Sequence, residues 1–172
     1  MPRTARIALA AMLLVAASLA SAKPWAWVWY PGQWQRPPGL YFARLKFDID
    51  ADVTAAYAFY TGDNFLGLYL NGKLVGGSGD WYTLKPLTIQ TLGPLLRKGT
   101  NVLAVRVQND DYEGGFALKG LILLSNGRRI ELNSNDSWRC ANKADAGWEQ
   151  VDFDDSEWVP SEEIGTPPAG GA

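Results

Sequence analysis

Hydrophobic and polar positions alternate strictly along residues 43–50. A period of two predicts a strand with one covered side and one solvent-facing side. Residues 65–70 are apolar without alternation, which predicts a strand covered on both faces. The dipeptide Asn71-Gly72 follows directly and favours a type I′ turn, because both central residues of that turn take positive φ. The pattern therefore predicts a β-hairpin within residues 61–77.

Similar segments recur along the rest of the chain. A second pair, Asn126-Gly127, predicts another hairpin with a type I′ turn, and residues 92–96 suggest a short turn of helix. Further strands are predicted at residues 54–60, 84–89, 101–107, 116–124 and 129–132. Short strands spaced by about ten residues and separated by Gly, Asn and Asp are typical of antiparallel sandwiches. We predict an all-β fold, a jelly-roll β-sandwich of eight to nine strands.

The first 22 residues have the composition of a secretory signal peptide. A basic start precedes about ten apolar residues, and Ala20-Ser21-Ala22 supplies a small-x-small end. An uncleaved anchor helix is the alternative, although the apolar stretch is short for a membrane span of ~20 residues. We expect cleavage after Ala22, export to the periplasmic or extracellular space, and no membrane span afterwards. The β-sandwich is then expected at residues 23–164, followed by a disordered Pro/Gly tail at residues 165–172.

The composition excludes several kinds of chemistry. The chain has no histidine, so Ser-His-Asp and Cys-His catalysis and histidine metal sites are ruled out. The formal net charge is −2 and becomes about −4 without residues 1–22, so a basic surface for nucleic acid is not expected. The single cysteine, Cys140, cannot form an intrachain disulfide. It is either a buried apolar filler, which we favour beside Trp138, or an exposed thiol.

Tryptophan is concentrated near the start of the expected domain. Trp25, Trp27 and Trp29 alternate and share one face if this segment is extended. They either pack on the sandwich core or form an exposed platform for sugar rings. We favour packing, because aromatic side chains bury large areas and usually do so structurally.

Short motifs spread over nearly all of the expected domain resemble a known family. They are Trp27-Val28-Trp29-Tyr30, Tyr41-Phe42-Ala43-Arg44-Leu45-Lys46-Phe47, Thr61-Gly62-Asp63, Leu68-Tyr69-Leu70-Asn71-Gly72-Lys73, Gly99-Thr100-Asn101-Val102-Leu103, Trp138, and Phe153-Asp154-Asp155-Ser156-Glu157-Trp158. Their order and spacing resemble the N-terminal accessory domain of bacterial α-L-rhamnosidases. More widely, they resemble the galactose-binding-domain-like jelly roll, the sugar-binding domain of the β-galactosidase and β-glucuronidase group.

The resemblance implies a secreted, non-catalytic carbohydrate-binding domain. In those enzymes such a domain accompanies a separate catalytic domain, and we expect no such domain within these residues. The expected partners are a glycan, such as a plant or bacterial polysaccharide, and a separate glycoside hydrolase subunit. The alternative is a structural or protein-interaction β-sandwich without a sugar site, for example the accessory part of a split glycosidase. That alternative predicts a filled or flat loop end and an exposed apolar patch around the tryptophans near the N-terminus.

A sugar site needs an aromatic face and a few convergent polar groups. Three loop segments supply both kinds of residue, and the candidates are Asp63, Asn64, Asp80, Trp81, Asn109, Asp110 and Tyr112. Rhamnose-binding modules similar to this domain hold a calcium ion with an Asp-Asn pair, so the resemblance implies Asp63 and Asn64 as calcium ligands. No cofactor is otherwise required. The alternative is that these side chains hydrogen-bond the backbone of their own turns.

The densest acidic cluster contains Asp152, Asp154 and Asp155. Glycoside hydrolysis uses two carboxylates separated by about 5–9.5 Å across a cleft. We favour a structural role for this cluster, because it lies in the closing motif, where Asp and Ser cap turns.

Overall fold

The chain folds into two antiparallel sheets that pack face to face. A computed structural model describes residues 23–33 and 38–167, so the predicted signal peptide, Trp34 and the last five residues of the predicted tail lie outside the described residues. The described strands are β1 (Trp27–Trp29), β2 (Gly39–Ile49), β3 (Val53–Asp63), β4 (Phe65–Leu70), β5 (Lys73–Ser78), β6 (Lys85–Leu87), β7 (Gly99–Asn109), β8 (Gly115–Leu124), β9 (Arg129–Glu131), β10 (Arg139–Ala141), β11 (Val159–Pro160) and β12 (Glu162–Gly165). A short helix, α1 (Ile89–Leu92), and a 3-10 turn at Gly93–Leu95 connect β6 to β7.

The sheet topology confirms the predicted all-β sandwich. The first sheet has the order β12-β1-β8-β3-β6, with β9 also paired to β8, and the second has the order β11-β10-β2-β7-β4-β5. The predicted count of eight to nine strands is too low, because the described part of the chain contains twelve. Strands β10, β11 and β12 have only two to four residues, which is too short to show an alternating pattern.

Both predicted hairpins form, but with different turns. Asn71 and Gly72 have φ values of 49° and 82°, which confirms the type I′ turn between β4 and β5. In the β8–β9 hairpin only Gly127 has positive φ, at 85°, so the type I′ prediction is wrong there. The Asn126 side chain accepts a hydrogen bond from the Arg128 backbone nitrogen at 3.0 Å, which stabilises a longer turn.

The outer face of the second sheet is covered by the segment 142–158. Trp148 and Trp158 of that segment pack on Phe42 and Ala104. Arg44 was expected on the solvent-facing side of its strand, but it is only 1% exposed. The prediction is wrong because alternation along β2 cannot reveal that a segment a hundred residues later covers this face. Conversely, Phe65 on β4 is exposed, so β4 is not covered on both faces along its whole length.

The same segment gives two residues of the acidic cluster structural contacts. The Asp155 carboxylate lies 3.0 Å from Arg44 Nη1 and 2.9 Å from Lys46 Nζ. The Asp154 carboxylate accepts a hydrogen bond from the Ser156 backbone nitrogen at 3.0 Å. These contacts confirm a structural role for both residues.

The main core lies between the two sheets. Trp138 is fully buried, and its indole nitrogen donates to the Asn133 carbonyl oxygen at 2.9 Å. Cys140 is a free, buried thiol, as expected. Trp29 stacks on Tyr41 with ring centroids 4.5 Å apart, which confirms the packing interpretation for that tryptophan.

Three connections lie at one end of the sandwich. They are the β3–β4 turn at Asn64, the β5–β6 loop at residues 79–84 and the β7–β8 loop at residues 110–114. The register places Asp63 opposite Gly115, Phe65 opposite Gln108 and Leu66 opposite Ser78, so these connections are neighbours in space. The described residues contain no helix that is long and apolar enough to span a membrane.

Candidate functional site

A cleft of about 580 Å³ opens at this end of the sandwich. Its walls come from five parts of the chain: β1, the β3–β4 turn, the β5–β6 loop, the β7–β8 loop and β12. The lining residues are Trp27, Asp63, Asn64, Trp81, Asp111, Tyr112, Glu113, Gly114, Gly115, Ile164 and Gly165. Its volume lies within the range of about 300–1,000 Å³ that is usual for small-molecule sites.

Two glycines allow the β7–β8 loop to approach the tryptophans of β1. A Cβ atom added to Gly114 would lie 2.9 Å from the Trp29 ring, and one added to Gly115 would lie 3.1 Å from the Trp27 ring. Such distances are shorter than ordinary contacts between carbon atoms. The loop can therefore form this wall of the cleft only with glycine at these positions or with displaced tryptophan rings.

Asn64 connects the β3–β4 turn to the β7–β8 loop. Its backbone nitrogen donates to the Gln108 carbonyl oxygen at 2.9 Å, and its side-chain Oδ1 accepts from the Asp110 backbone nitrogen at 2.7 Å. The Gln108 side-chain amide also donates to the Asp110 carboxylate at 2.8 Å. The peptide bond between Asp63 and Asn64 is cis. The two hydrogen bonds of Asn64 hold the two loops together beside the cleft.

The structure brings four of the seven predicted site residues together. Asp63, Asn64, Trp81 and Tyr112 all line the cleft, although they lie up to 49 positions apart in the sequence. Their binding role remains a prediction. Their convergence is the geometry that the candidate site required.

The other three predicted residues do not line the cleft, and each has a structural contact. The Asp80 carboxylate accepts a hydrogen bond from the Thr83 backbone nitrogen at 2.6 Å and lies 3.4 Å from Lys85 Nζ. Asn109 is buried at the end of β7. The Asp110 backbone nitrogen donates a hydrogen bond to Asn64 Oδ1. For Asp80 the hydrogen bond to the backbone of its own turn, which was the alternative, is what the structure shows.

Several lining residues were not among the predicted site residues. Asp111 and Glu113 belong to the polar loop that contains Tyr112, but the sequence does not indicate which of its side chains point into a cleft. Trp27 was predicted, like Trp25 and Trp29, to pack on the sandwich core. It is only half-buried and faces the cleft. A register irregularity between Trp27 and Val28 interrupts the alternation, and no sequence pattern predicts it.

The cleft is acidic as well as aromatic. Partial burial raises the pKa of the Asp63 carboxyl group, and the negative charges of Asp111 and Glu113 raise it further. Trp81 and Tyr112 are among the most exposed aromatic side chains of the described residues. The site thus offers carboxylate oxygens that accept hydrogen bonds beside flat apolar rings.

The residues present fit a calcium ion only in part. Calcium takes six to eight oxygen ligands, and the predicted pair supplies one carboxylate and one amide. The described residues contain no group of three or more His, Cys, Asp or Glu side chains placed to hold a metal. Asn64 Oδ1 already accepts one hydrogen bond, although a carbonyl oxygen has two lone pairs. The calcium site therefore remains a prediction.

A known protein with a similar sequence supports the predicted resemblance. The chain is 27% identical over 143 residues to an α-L-rhamnosidase of Streptomyces avermitilis, a match that covers 77% of this chain and 14% of that protein. The chain thus spans about a seventh of the length of the curated relative. No protein-family model matches the chain.

Solved structures show the same fold. The crystal structure of Streptomyces avermitilis α-L-rhamnosidase complexed with L-rhamnose matches with a TM-score of 0.74 and 22% identity, over 84% of this chain and 15% of that one. A lectin from Pleurotus ostreatus in complex with GalNAc matches with a TM-score of 0.74 and 22% identity, over 82% of this chain and 42% of that one. Sequence and fold therefore agree that the chain resembles an accessory β-sandwich domain of α-L-rhamnosidases.

Proposed function

We propose that this chain is an exported, non-catalytic carbohydrate-binding domain, and that the cleft between the three loops is its sugar site. The observation that carries the proposal is the convergence of Asp63, Trp81 and Tyr112 on one cleft of about 580 Å³. Carboxylate oxygens accept hydrogen bonds from sugar hydroxyls, and amide groups both accept and donate them. Aromatic rings pack against the apolar C–H face of a sugar ring.

The similar proteins support a sugar as the ligand class. One matching structure contains L-rhamnose and another contains GalNAc. The two proteins differ in kind, one being a glycosidase and the other a lectin. Their shared fold therefore fits carbohydrate binding better than it fits any one reaction. L-rhamnose and GalNAc are the first probes that this comparison suggests.

The competing hypothesis is a structural or protein-interaction sandwich without a sugar site. It predicts a filled or flat loop end and an exposed patch around the N-terminal tryptophans. The cleft argues against a filled end. Trp29 is buried, while Trp25 and Trp27 are half-buried. A separate glycoside hydrolase subunit is compatible with the proposed function.

The two adjacent carboxylates of the acidic cluster, Asp154 and Asp155, make structural contacts, and this supports a non-catalytic role. Asp155 neutralises Arg44, and Asp154 caps a turn. The chain also matches only 14% of the rhamnosidase. Hydrolysis of an aryl glycoside by the purified chain, abolished by Asp154→Asn, would contradict this part of the proposal.

Trp81→Ala and Asp63→Ala are each expected to weaken sugar binding at least tenfold, about 1.4 kcal/mol. Trp81 supplies a ring on the cleft wall, and Asp63 supplies the most enclosed carboxylate of the lining. Affinity is measured by titration calorimetry with L-rhamnose and with GalNAc, each with calcium and with a chelator, so that the calcium prediction is tested together with the sugar. Tyr57→Ala is the matched control, because Tyr57 is similarly exposed on the outer face of the first sheet.

If Tyr57→Ala weakened binding as much as Trp81→Ala, the cleft would not be the site. If no binding were detected with either sugar, or with glycans that contain galactose or uronic acid, the proposed function would be rejected.

Asp63→Asn is expected to stabilise the free protein at neutral pH, by less than about 1 kcal/mol after allowance for solvent screening. Burial and two like charges raise the pKa of Asp63. The stability linked to this group is therefore present below its unfolded pKa and is lost as the pH rises through the raised folded pKa. Asparagine avoids that loss. Urea unfolding at several pH values measures the difference, which should vanish in acid.

Asp154→Asn is the control, because the stability linked to Asp154 depends on pH with the opposite sign. Hydrogen bonds from Ser156 lower the pKa of Asp154, so its contribution is present at neutral pH and is lost as the pH falls through the lowered pKa. A destabilising effect of Asp63→Asn at neutral pH would show that Asp63 stabilises the loops instead.

A further inference from the structure

The aromatic surface at the cleft continues beyond the cleft itself. Tyr82 is 69% exposed and does not line the cleft, yet its ring lies edge-on to that of Trp81, with centroids 5.7 Å apart and an interplanar angle of 88°. Phe65, which is 52% exposed, also lies outside the cleft. A Cβ atom added to Gly79 would lie 3.7 Å from the Phe65 ring. The β5–β6 loop therefore connects the cleft wall to two further exposed rings.

This loop is held firmly despite its exposed rings. The Asp80 carbonyl oxygen accepts hydrogen bonds from the hydroxyl groups of Thr61, at 2.7 Å, and Ser78, at 2.8 Å. Its carboxylate binds the Thr83 backbone nitrogen and pairs with Lys85. Asp80 thus fixes the backbone on both sides of Trp81 and Tyr82. A surface whose rings are already positioned loses little conformational entropy when a ligand packs on it.

Single exposed aromatic residues are normal on protein surfaces, but adjoining rings at the mouth of a cleft mark a binding surface. On the basis of the proposed function, we propose that the physiological ligand is an oligosaccharide or polysaccharide segment. One of its units occupies the cleft, and the next unit packs on Tyr82 outside the cleft. Continuity with the cleft identifies the occupant of this outer surface as more of the same ligand. Tyr82 then determines specificity for chain length.

The test compares ligands of increasing length on the full chain. The probes are L-rhamnose, GalNAc, and oligosaccharides of two, four and six units that end in either sugar, measured by titration calorimetry. For the wild type we expect the affinity to rise about tenfold between one unit and four. Tyr82→Ala should remove this rise and leave the affinity for the single sugar unchanged. Tyr57→Ala, a control of the same residue type on a different face, should preserve the rise.

Two results would overturn the inference and leave the proposed function standing: equal affinity of the wild type for short and long ligands, or an undiminished rise with length in Tyr82→Ala. Failure of every probe to bind would reject the proposed function itself, and the inference with it. If Tyr82→Ala instead disrupted binding of a protein partner and had no effect on any sugar, this surface would be a protein interface and the inference would be wrong.

Discussion

Asp155→Ala is expected to lower the free energy of unfolding by about 3–5 kcal/mol, the cost of leaving a buried charge unpaired. The Arg44 guanidinium is buried beneath the segment 142–158, 3.0 Å from the Asp155 carboxylate. It also donates to the carbonyl oxygens of Gln150, at 2.8 Å, and Phe153, at 3.2 Å. Burial lowers the pKa of Arg44, and the charge of Asp155 is the main effect that opposes this. Without Asp155, the guanidinium keeps its desolvation cost and loses its closest counter-charge.

Two variants make this prediction specific. Asp52→Ala removes an exposed ion pair with Lys98 at a similar separation, 2.9 Å, and should cost less than about 1 kcal/mol. The double variant Arg44→Met, Asp155→Leu removes both charges and should recover most of the loss, because hydrophobic replacements of buried ion pairs are often neutral or stabilising. Urea unfolding monitored by tryptophan fluorescence measures all three. Equal losses for Asp155→Ala and Asp52→Ala would show that the buried pair is not special.

Arg44 also shows how far the sequence could predict the fold. Alternation along β2 correctly identified a strand and its core-facing side, because a period of two is a local property of the chain. The same pattern placed Arg44 towards solvent, and this was wrong. The cover over that face comes from Trp148, Phe153 and Trp158, about a hundred residues later. Local patterns cannot show which distant segment packs on a strand.

The two Asn-Gly turns also show what a local pattern can and cannot predict. Asn71-Gly72 forms the predicted type I′ turn because its conformation depends mainly on two residues and their strands. Asn126-Gly127 carries the same dipeptide, but the Asn126 side chain bonds the Arg128 backbone instead. The strands β10 to β12 escaped prediction because their pairing depends on partners far along the chain.

For the candidate site, the sequence could name the candidate loops, but it could show neither that they meet nor which side chains face the cleft. In the structure all three loops contribute to the lining of the cleft. Within each loop the direction of a side chain depends on single hydrogen bonds. Asp80 and Trp81 are neighbours, yet bonds to Thr83 and Lys85 turn Asp80 away while Trp81 lines the cleft. Only the three-dimensional contacts distinguish Asp80, which anchors the loop, from Trp81, which is a candidate for binding.

Asn101→Ala is expected to cost about 3 kcal/mol or more in the free energy of unfolding, because it removes four hydrogen bonds of one fully buried side chain. The Asn101 side chain is fully buried. Its amide nitrogen donates to the carbonyl oxygens of Arg97 and Gly99 at 2.7 and 2.9 Å. Its Oδ1 accepts from the Arg97 backbone nitrogen at 3.1 Å and from the Asn71 side chain at 2.8 Å. The substitution also removes the hydrogen bond from the Asn71 side chain, which connects the β4–β5 hairpin to β7.

Asn126→Ala is the matched control, since it deletes the same group from an exposed turn and should cost less than about 1 kcal/mol. Asn101 lies at the start of β7, and Asn109 at its other end adjoins the cleft loop. A strand rises about 3.3 Å per residue, so roughly 25 Å separate Asn101 from the candidate site. Asn101→Ala should therefore lower the unfolding midpoint in urea while the folded protein keeps its sugar affinity. A variant as stable as the wild type would show that water satisfies these groups, and a loss of affinity at full folding would show that the network also shapes the cleft.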